Sequence, residues 1–222
     1  MSEKSTNKYA IVDLEATSAS STACIIQVGI VIMQNGRVID EFASDVNPHQ
    51  KLDNHIVHLT GITDQQLSQA PDFSEIARTI FELIEDCIFV AHNVKFDANL
   101  LSEALFMEGY ELRTPRVDTV ELAQVFYPTL EHYKLSHLSK VLNLDLAQAH
   151  TAIEDARATG KLLLHLMDKI ASLPRQTIDM LLTFSDNLLF ESELVIRDAI
   201  KGKTNSLSKE YIMLEESGIV LR

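Results

Sequence analysis

The chain has 222 residues, 46% of them hydrophobic, with seven Gly and five Pro; this fits one globular domain plus some additional material and excludes a collagen-like or disordered chain. Nineteen Lys and Arg against 32 Asp and Glu give a net charge of −13, which excludes a surface that holds nucleic acid by phosphate neutralisation alone. The opening MSEKSTNKYAIVD has no charged-then-apolar leader and every apolar run is strand-length, so the expectation is a cytoplasmic chain with no membrane partner.

Residues 8–16, KYAIVDLEA, are apolar and β-branched and predict a strand. Cys24 opens a second strand, CIIQVGIVIMQ, and Asn35-Gly36 is a hairpin signal before a third, RVIDEFASDV. Three consecutive strands of this kind predict an antiparallel meander. The segment 55–73 reads as a connecting loop holding a short helix at 63–70. Residues 73–85 carry apolar side chains at helical spacing. Cys87 begins CIFVAHN, whose almost wholly apolar character predicts an interior strand, followed by a helix over 94–108. Both cysteines sit in apolar strand settings and read as buried free thiols of a reducing compartment. A short strand and helix are expected near 117–126, a helix at 135–142 and a long helix over 151–171. Strands first, then strands alternating with helices, give an α/β fold: a mixed five-stranded sheet flanked by helices. Residues 172–222 read as a separate C-terminal extension, helical to about Ile200, then polar, then apolar in YIMLEESGIVLR. Gly202-Lys203-Thr204 mimics the end of a phosphate-binding loop, but Arg197 stands where that motif needs Gly.

Three polar clusters interrupt this pattern. Asp13 and Glu15 are two apart on a strand, so they share one face. Adjacent carboxylates repel, and a divalent cation removes that cost. His92-Asn93-Val94-Lys95-Phe96-Asp97 follows an apolar strand, with Asn93 placed to cap the next helix and Asp97 about one turn into it. His150 and Asp155 are five apart, and within one helix they would diverge by ~140°. They converge only if His150 precedes the helix, with Thr151 as its cap. Each cluster alone has a plain alternative: a solvated strand edge, a cap with a charge near a helix N-terminus, an exposed loop histidine.

Their order, D-x-E, then H-N-x-x-F-D, then H-x-x-x-x-D, resembles the three motifs of the DEDD exonucleases in their histidine subclass. That group includes the proofreading subunit of bacterial DNA polymerase III, ribonuclease T and oligoribonuclease. The resemblance covers roughly residues 8–170, including HIVHLTGITDQQLSQAPDF, and is strongest to the exonuclease domain that some Gram-positive bacteria fuse in front of a DinG-type helicase. It implies a ribonuclease H-like fold, an exonuclease domain over 1–171, and 172–222 as linker toward a helicase domain in the same full-length chain. It also implies cleavage from the 3′ end. One departure stands out. The common D-x-E-T-T-G is here Asp13-Leu14-Glu15-Ala16-Thr17-Ser18, which removes a hydroxyl and a flexible Gly beside the acids.

The expected cofactors are two Mg²⁺ or Mn²⁺ ions, because the donors are hard carboxylate oxygens. Asp13, Glu15 and Asp155 are the expected ligands of one ion, Asp13 bridges to a second, and Asp97 orients that second ion. His150 is the candidate general base. Thr17, Leu59, Thr60 and Gly61 match family positions that hold the terminal nucleotide, and His92, Asn93 and Phe96 are expected to line the same pocket. Lys95 and Lys134 are the nearest basic side chains. The expected substrate is the 3′ end of single-stranded DNA. An RNA 3′-exonuclease and a non-catalytic strand- or partner-binding module are the alternatives.

Overall fold

The computed structural model describes residues 7–20, 22–144 and 151–201. The expectations placed on His150 and on 202–222 lie outside these residues.

Five strands form one mixed sheet in the order β3-β2-β1-β4-β5. The first three, β1 (Lys8–Ala16), β2 (Ile25–Gln34) and β3 (Arg37–Asp45), make the expected antiparallel meander. Asn35 and Gly36 turn the second hairpin with φ of 53° and 72°, the left-handed pair that a two-residue turn requires. Strand β4 (Ile88–Ala91) runs parallel to β1, and β5 (Arg116–Asp118) parallel to β4. Every residue of β4 is buried, as its apolar run predicts.

Helices cover both faces. Along β1, Ala10, Val12 and Leu14 face a core shared with α3 (Phe73–Ile84) and α4 (Val94–Met107). Tyr9 and Ile11 face the opposite core, shared with α5 (Thr119–Phe126), α6 (Leu135–Val141) and α7 (Ala152–Ser172). By the period of two, Asp13 and Glu15 continue the row of Tyr9 and Ile11 and so meet α7. Two glycines admit α7 closely: Gly29 of β2 lies directly under its first turn, and Gly160 faces Met33.

The segment after β3 departs from the expected loop. Residues Asn54–Thr60 form a helix, α1, ended by Gly61 at φ 73°, and α2 spans only Asp64–Leu67. No residue of α1 is buried, so it lacked the apolar stripe by which a helix is recognised. The described residues of the C-terminal extension join the core. After α8 (Arg175–Phe184) and a 3₁₀ turn at Ser185–Asn187, a helix over 193–201 places Val195, Ile196 and Ala199 in the same cluster as Tyr9 and Leu162. Its Asp198 accepts hydrogen bonds from the Tyr9 hydroxyl (2.7 Å) and the Asn7 amide (2.9 Å). The edge of β5 is covered as well: Arg116 N–H donates to the Glu191 carboxylate at 2.8 Å and its carbonyl accepts the Glu191 N–H at 2.9 Å. Cys87 is buried and Cys24 half-buried, both free. Among the described residues no helix is long and apolar enough to cross a membrane.

Candidate active site

The register of the first hairpin places Asp13 opposite Gly29 and Glu15 opposite Gln27. A side chain at 29 would collide with α7, so glycine there lets the first turn of that helix lie against the strand beside the two acids. Asp155 closes this turn, its N–H donating to the Thr151 carbonyl at 3.0 Å. The result is convergence across the sequence: one carboxylate oxygen from each of Asp13, Glu15 and Asp155 lies within 4.8 Å of the others. Octahedral coordination at ~2.1 Å puts ligand atoms ~3.0–4.2 Å apart, so this all-oxygen triad fits a hard divalent cation with modest contraction. Its donors are wrong for a structural zinc site, which favours sulfur and nitrogen.

Asp97 approaches from α4. It is buried, and its Oδ1 accepts the Leu14 N–H at 3.0 Å, between Asp13 and Glu15 on β1. It lies outside the close triad. Electrostatics mark the four acids as one unit. Burial pushes the Asp13 carboxyl well above the usual carboxylate range, and the charges of Asp97, Asp155 and Glu15 push it further. Burial likewise raises Asp97 to about 8, against the lowering effect of the N–H groups of Leu14 and of Asp97 itself. Four carboxyls held this way are costly without positive charge among them.

The turn before α4 is built differently from the sequence expectation. Asn93 occupies the cap position, but with φ 74° and ψ 56°, and its side chain makes no capping bond. The turn is held by Asp118, whose Oδ1 accepts the N–H groups of Asn93 (3.0 Å) and Val120 (2.8 Å). Asp118 had no visible signal beyond its place at a strand end. Thr151 also sits at its expected cap position without a side-chain bond. His92 is half-buried and bonded within the fold. Its Nε2 donates to the Tyr133 carbonyl (2.7 Å), leaving Nδ1 to accept from the Thr119 hydroxyl (2.9 Å). Burial lowers its pKa, consistent with that neutral form.

Asn93 and Phe96 do share a cleft of about 430 Å³, together with Ala19, Ser20, Lys95 and Glu103. Thr17 uses its hydroxyl to accept the Cys24 N–H at 3.0 Å, closing the loop after β1. Leu59 is 62% exposed. The Thr60 hydroxyl donates to the Ile56 carbonyl (2.9 Å) and accepts the Ile62 N–H (3.1 Å), so it shapes the turn into Gly61. Lys134 occupies the cap position of α6. His150 precedes α7 in sequence and lies outside the described residues.

Residues 10–163 match the family model described as Exonuclease. The chain belongs to this exonuclease family. Among curated relatives, the protein named 3′-5′ exonuclease DinG of Staphylococcus aureus strain USA300 is 35% identical over 211 residues. The same name and identity recur in strain NCTC 8325. The match takes in 94% of this chain and 24% of the relative, so the chain spans about a quarter of the relatives' length. Solved structures show the same ribonuclease H-like fold. Exonuclease X in complex with 5′ overhanging duplex DNA aligns with TM-score 0.59 at 20% identity, covering 72% of this chain and 91% of that one. E. coli exonuclease I in complex with a dT13 oligonucleotide gives 0.66 at 18%, over 80% and 44%. The nuclease domain of 3′hExo, a DEDDh family member bound to rAMP, gives 0.63 at 16%, over 74% and 94%.

Proposed function

We propose that this chain is a metal-dependent 3′→5′ exonuclease that releases nucleoside 5′-monophosphates from the 3′ end of single-stranded DNA by a two-metal mechanism. The observation that carries it is the convergence of Asp13, Glu15 and Asp155 beside the buried Asp97, in a chain of the exonuclease family. Asp13, Glu15 and Asp155 would hold one Mg²⁺ or Mn²⁺, and Asp13 with Asp97 a second. Bound there, the two cations would supply the Lewis acidity that makes water nucleophilic near neutral pH and neutralise charge on the leaving 3′ oxygen.

The protein's own residues do the rest. Leu14 N–H holds the Asp97 carboxylate against β1. His150 serves as general base for the attacking water. Thr17, Leu59, Thr60 and Gly61 hold the terminal nucleotide, and Asn93 and Phe96 line its approach, with Lys95 beside them. A net charge of −13 means that the cations supply much of the attraction for the strand. The catalytic unit is assigned to 1–171, with 172–222 as an extension toward a helicase domain in the same full-length chain. The relatives' greater length supports that last point, and the two free thiols support a cytoplasmic setting.

The test is a 5′-labelled single-stranded DNA oligonucleotide incubated with Mn²⁺ and then with EDTA, resolved on a sequencing gel beside an RNA of the same sequence. A metal-dependent ladder shortening from the 3′ end of DNA is the expected result. Immediate release of the labelled mononucleotide means the opposite polarity. Cleavage of RNA alone moves the substrate to RNA, and no cleavage of either favours a binding module. In the same assay His150→Ala loses most activity while still binding Mn²⁺; an unchanged pH–rate profile removes His150 from the base role.

A further inference from the structure

We propose that Gln27 is a positioning residue for Asp155, clamping the first turn of α7 and linking it through Asp45 and Gln66 to the helix that follows Leu59–Gly61. This rests on the function proposed above and adds a residue to it. Gln27 stands on β2 opposite Glu15. Its Oε1 accepts the Ala152 N–H at 2.8 Å, across 125 residues of sequence. Its Nε2 donates to Asp45 Oδ1 at 2.7 Å, and Asp45 Oδ2 accepts from Gln66 Nε2, also at 2.7 Å.

The partners fix how the amide is turned. A backbone N–H only donates and a carboxylate only accepts, so the Gln27 oxygen faces Ala152 and its nitrogen faces Asp45. Ala152 is the first residue of α7, and an N–H at that position has no partner within its own helix. Thr151 makes no side-chain bond at the cap, so a residue of a different element caps the helix. Asp155 lies in this same turn. Displacements of ~1 Å in a catalytic group are enough to cost large factors in rate.

Residue type matters here. Glutamate at 27 would still accept from Ala152 but would set a carboxylate against Asp45. Methionine would fill the space and bond to neither. The chain from Gln66 through Asp45 to Gln27 also joins α2, directly after the Leu59–Gly61 segment assigned to the terminal nucleotide, to the helix that carries Asp155. Three side chains thus tie α2 to the first turn of α7.

The experiment uses the 222-residue chain and three variants: Gln27→Met, Gln27→Glu, and Gln27→Glu combined with Asp45→Asn. Mn²⁺ binding is measured by calorimetry without nucleic acid, kcat and KM on the labelled DNA oligonucleotide, and Tm and circular dichroism on each protein. Gln27→Met weakens Mn²⁺ binding at least fivefold and lowers kcat at saturating Mn²⁺ at least tenfold, with KM within twofold and a native spectrum. Gln27→Glu loses kcat similarly. Adding Asp45→Asn restores an N–H donor to the carboxylate at 27 while still accepting from Gln66, and brings kcat to within threefold of the unmodified chain. A merely structural role moves Tm without that recovery. If the unmodified chain cleaves nothing, the activity reading fails by itself, and Mn²⁺ affinity still decides the clamp. Unchanged Mn²⁺ affinity in Gln27→Met, or a double variant no better than Gln27→Glu, overturns the proposal.

Discussion

Gly29 and Ala152 approach so closely that a β-carbon on Gly29 would lie 2.2 Å from the Ala152 carbonyl carbon. The missing side chain brings a helix turn down onto the strand opposite Asp13, and with it Asp155. Replacing Gly29 with Ala forces α7 away from β2. Overpacking of this kind costs ~1–3 kcal/mol. We expect Gly29→Ala to stay folded, to lose Mn²⁺ binding and to fall at least 100-fold in nuclease activity. Normal Mn²⁺ affinity in this variant, measured by calorimetry, would show that Asp155 does not depend on that contact.

Metal removal should reverse the usual pH dependence of a carboxylate-rich protein. Asp13 and Asp97 are raised in the fold, Asp97 from 3.8 to about 8. A carboxyl whose folded pKa lies above its unfolded one binds more protons in the native state, so stability falls as pH rises through that window. With EDTA, Tm should drop steadily between about pH 4 and 8, following the Asp97 value. Saturating Mn²⁺ should remove most of that slope. Asp13→Asn in EDTA at pH 8 should be more stable than the unmodified chain by several degrees while being inactive. Equal slopes with and without Mn²⁺ would argue against a shared cation site.

Asp118 gives a third test. One of its oxygens accepts two backbone N–H groups at the turn that delivers Asp97. Asp118→Ala leaves both donors without this partner, at a cost of ~1–3 kcal/mol. It should also lower kcat about tenfold. Asp118→Asn keeps an acceptor oxygen and should retain most of the rate. Asn93, at φ 74°, gives a matching contrast: Asn93→Gly is tolerated, whereas Asn93→Ala costs ~1 kcal/mol. Thermal melts and single-turnover rates on the four variants separate these cases.

The extension supplies a fourth. Val195 and Ile196 are at most 1% exposed, and Asp198 bonds Tyr9 inside the fold. A chain ending at 171 exposes this core face and should aggregate or melt at least 10 °C lower. A chain ending at 201 should melt within a few degrees of the full length. Differential scanning calorimetry of the two truncations decides whether 172–201 belongs to the nuclease's cooperative unit.

Local rules made much of this legible in the sequence. Period two put Asp13 and Glu15 on one face, and an apolar run ending in H-N-x-x-F-D placed Asp97 one turn into a helix. Partners distant in the chain were not legible. Gln27 reads as one polar residue in an apolar strand, and its bond to Ala152 spans 125 positions. Asn93 carries a capping residue type, yet Asp118, 25 residues on, holds the turn. Helix α1 only half-buries Ile56 and Val57, too narrow an apolar face to mark it as a helix in the sequence. The 193–201 helix shows its apolar positions, but what they pack against depends on a sheet formed nearly 190 residues earlier.

The Tyr9–Asp198 contact has a mechanical consequence. Tyr9 belongs to the strand that bears Asp13 four residues on, and Asp198 belongs to the helix over 193–201. Burial and the neighbouring carboxylate raise the Tyr9 phenol, so it stays a proton donor to Asp198 across the physiological range. A pull on the 193–201 helix would therefore load, through this bond and the packing of Val195 and Ile196 on the same core, the strand that bears Asp13 and Glu15.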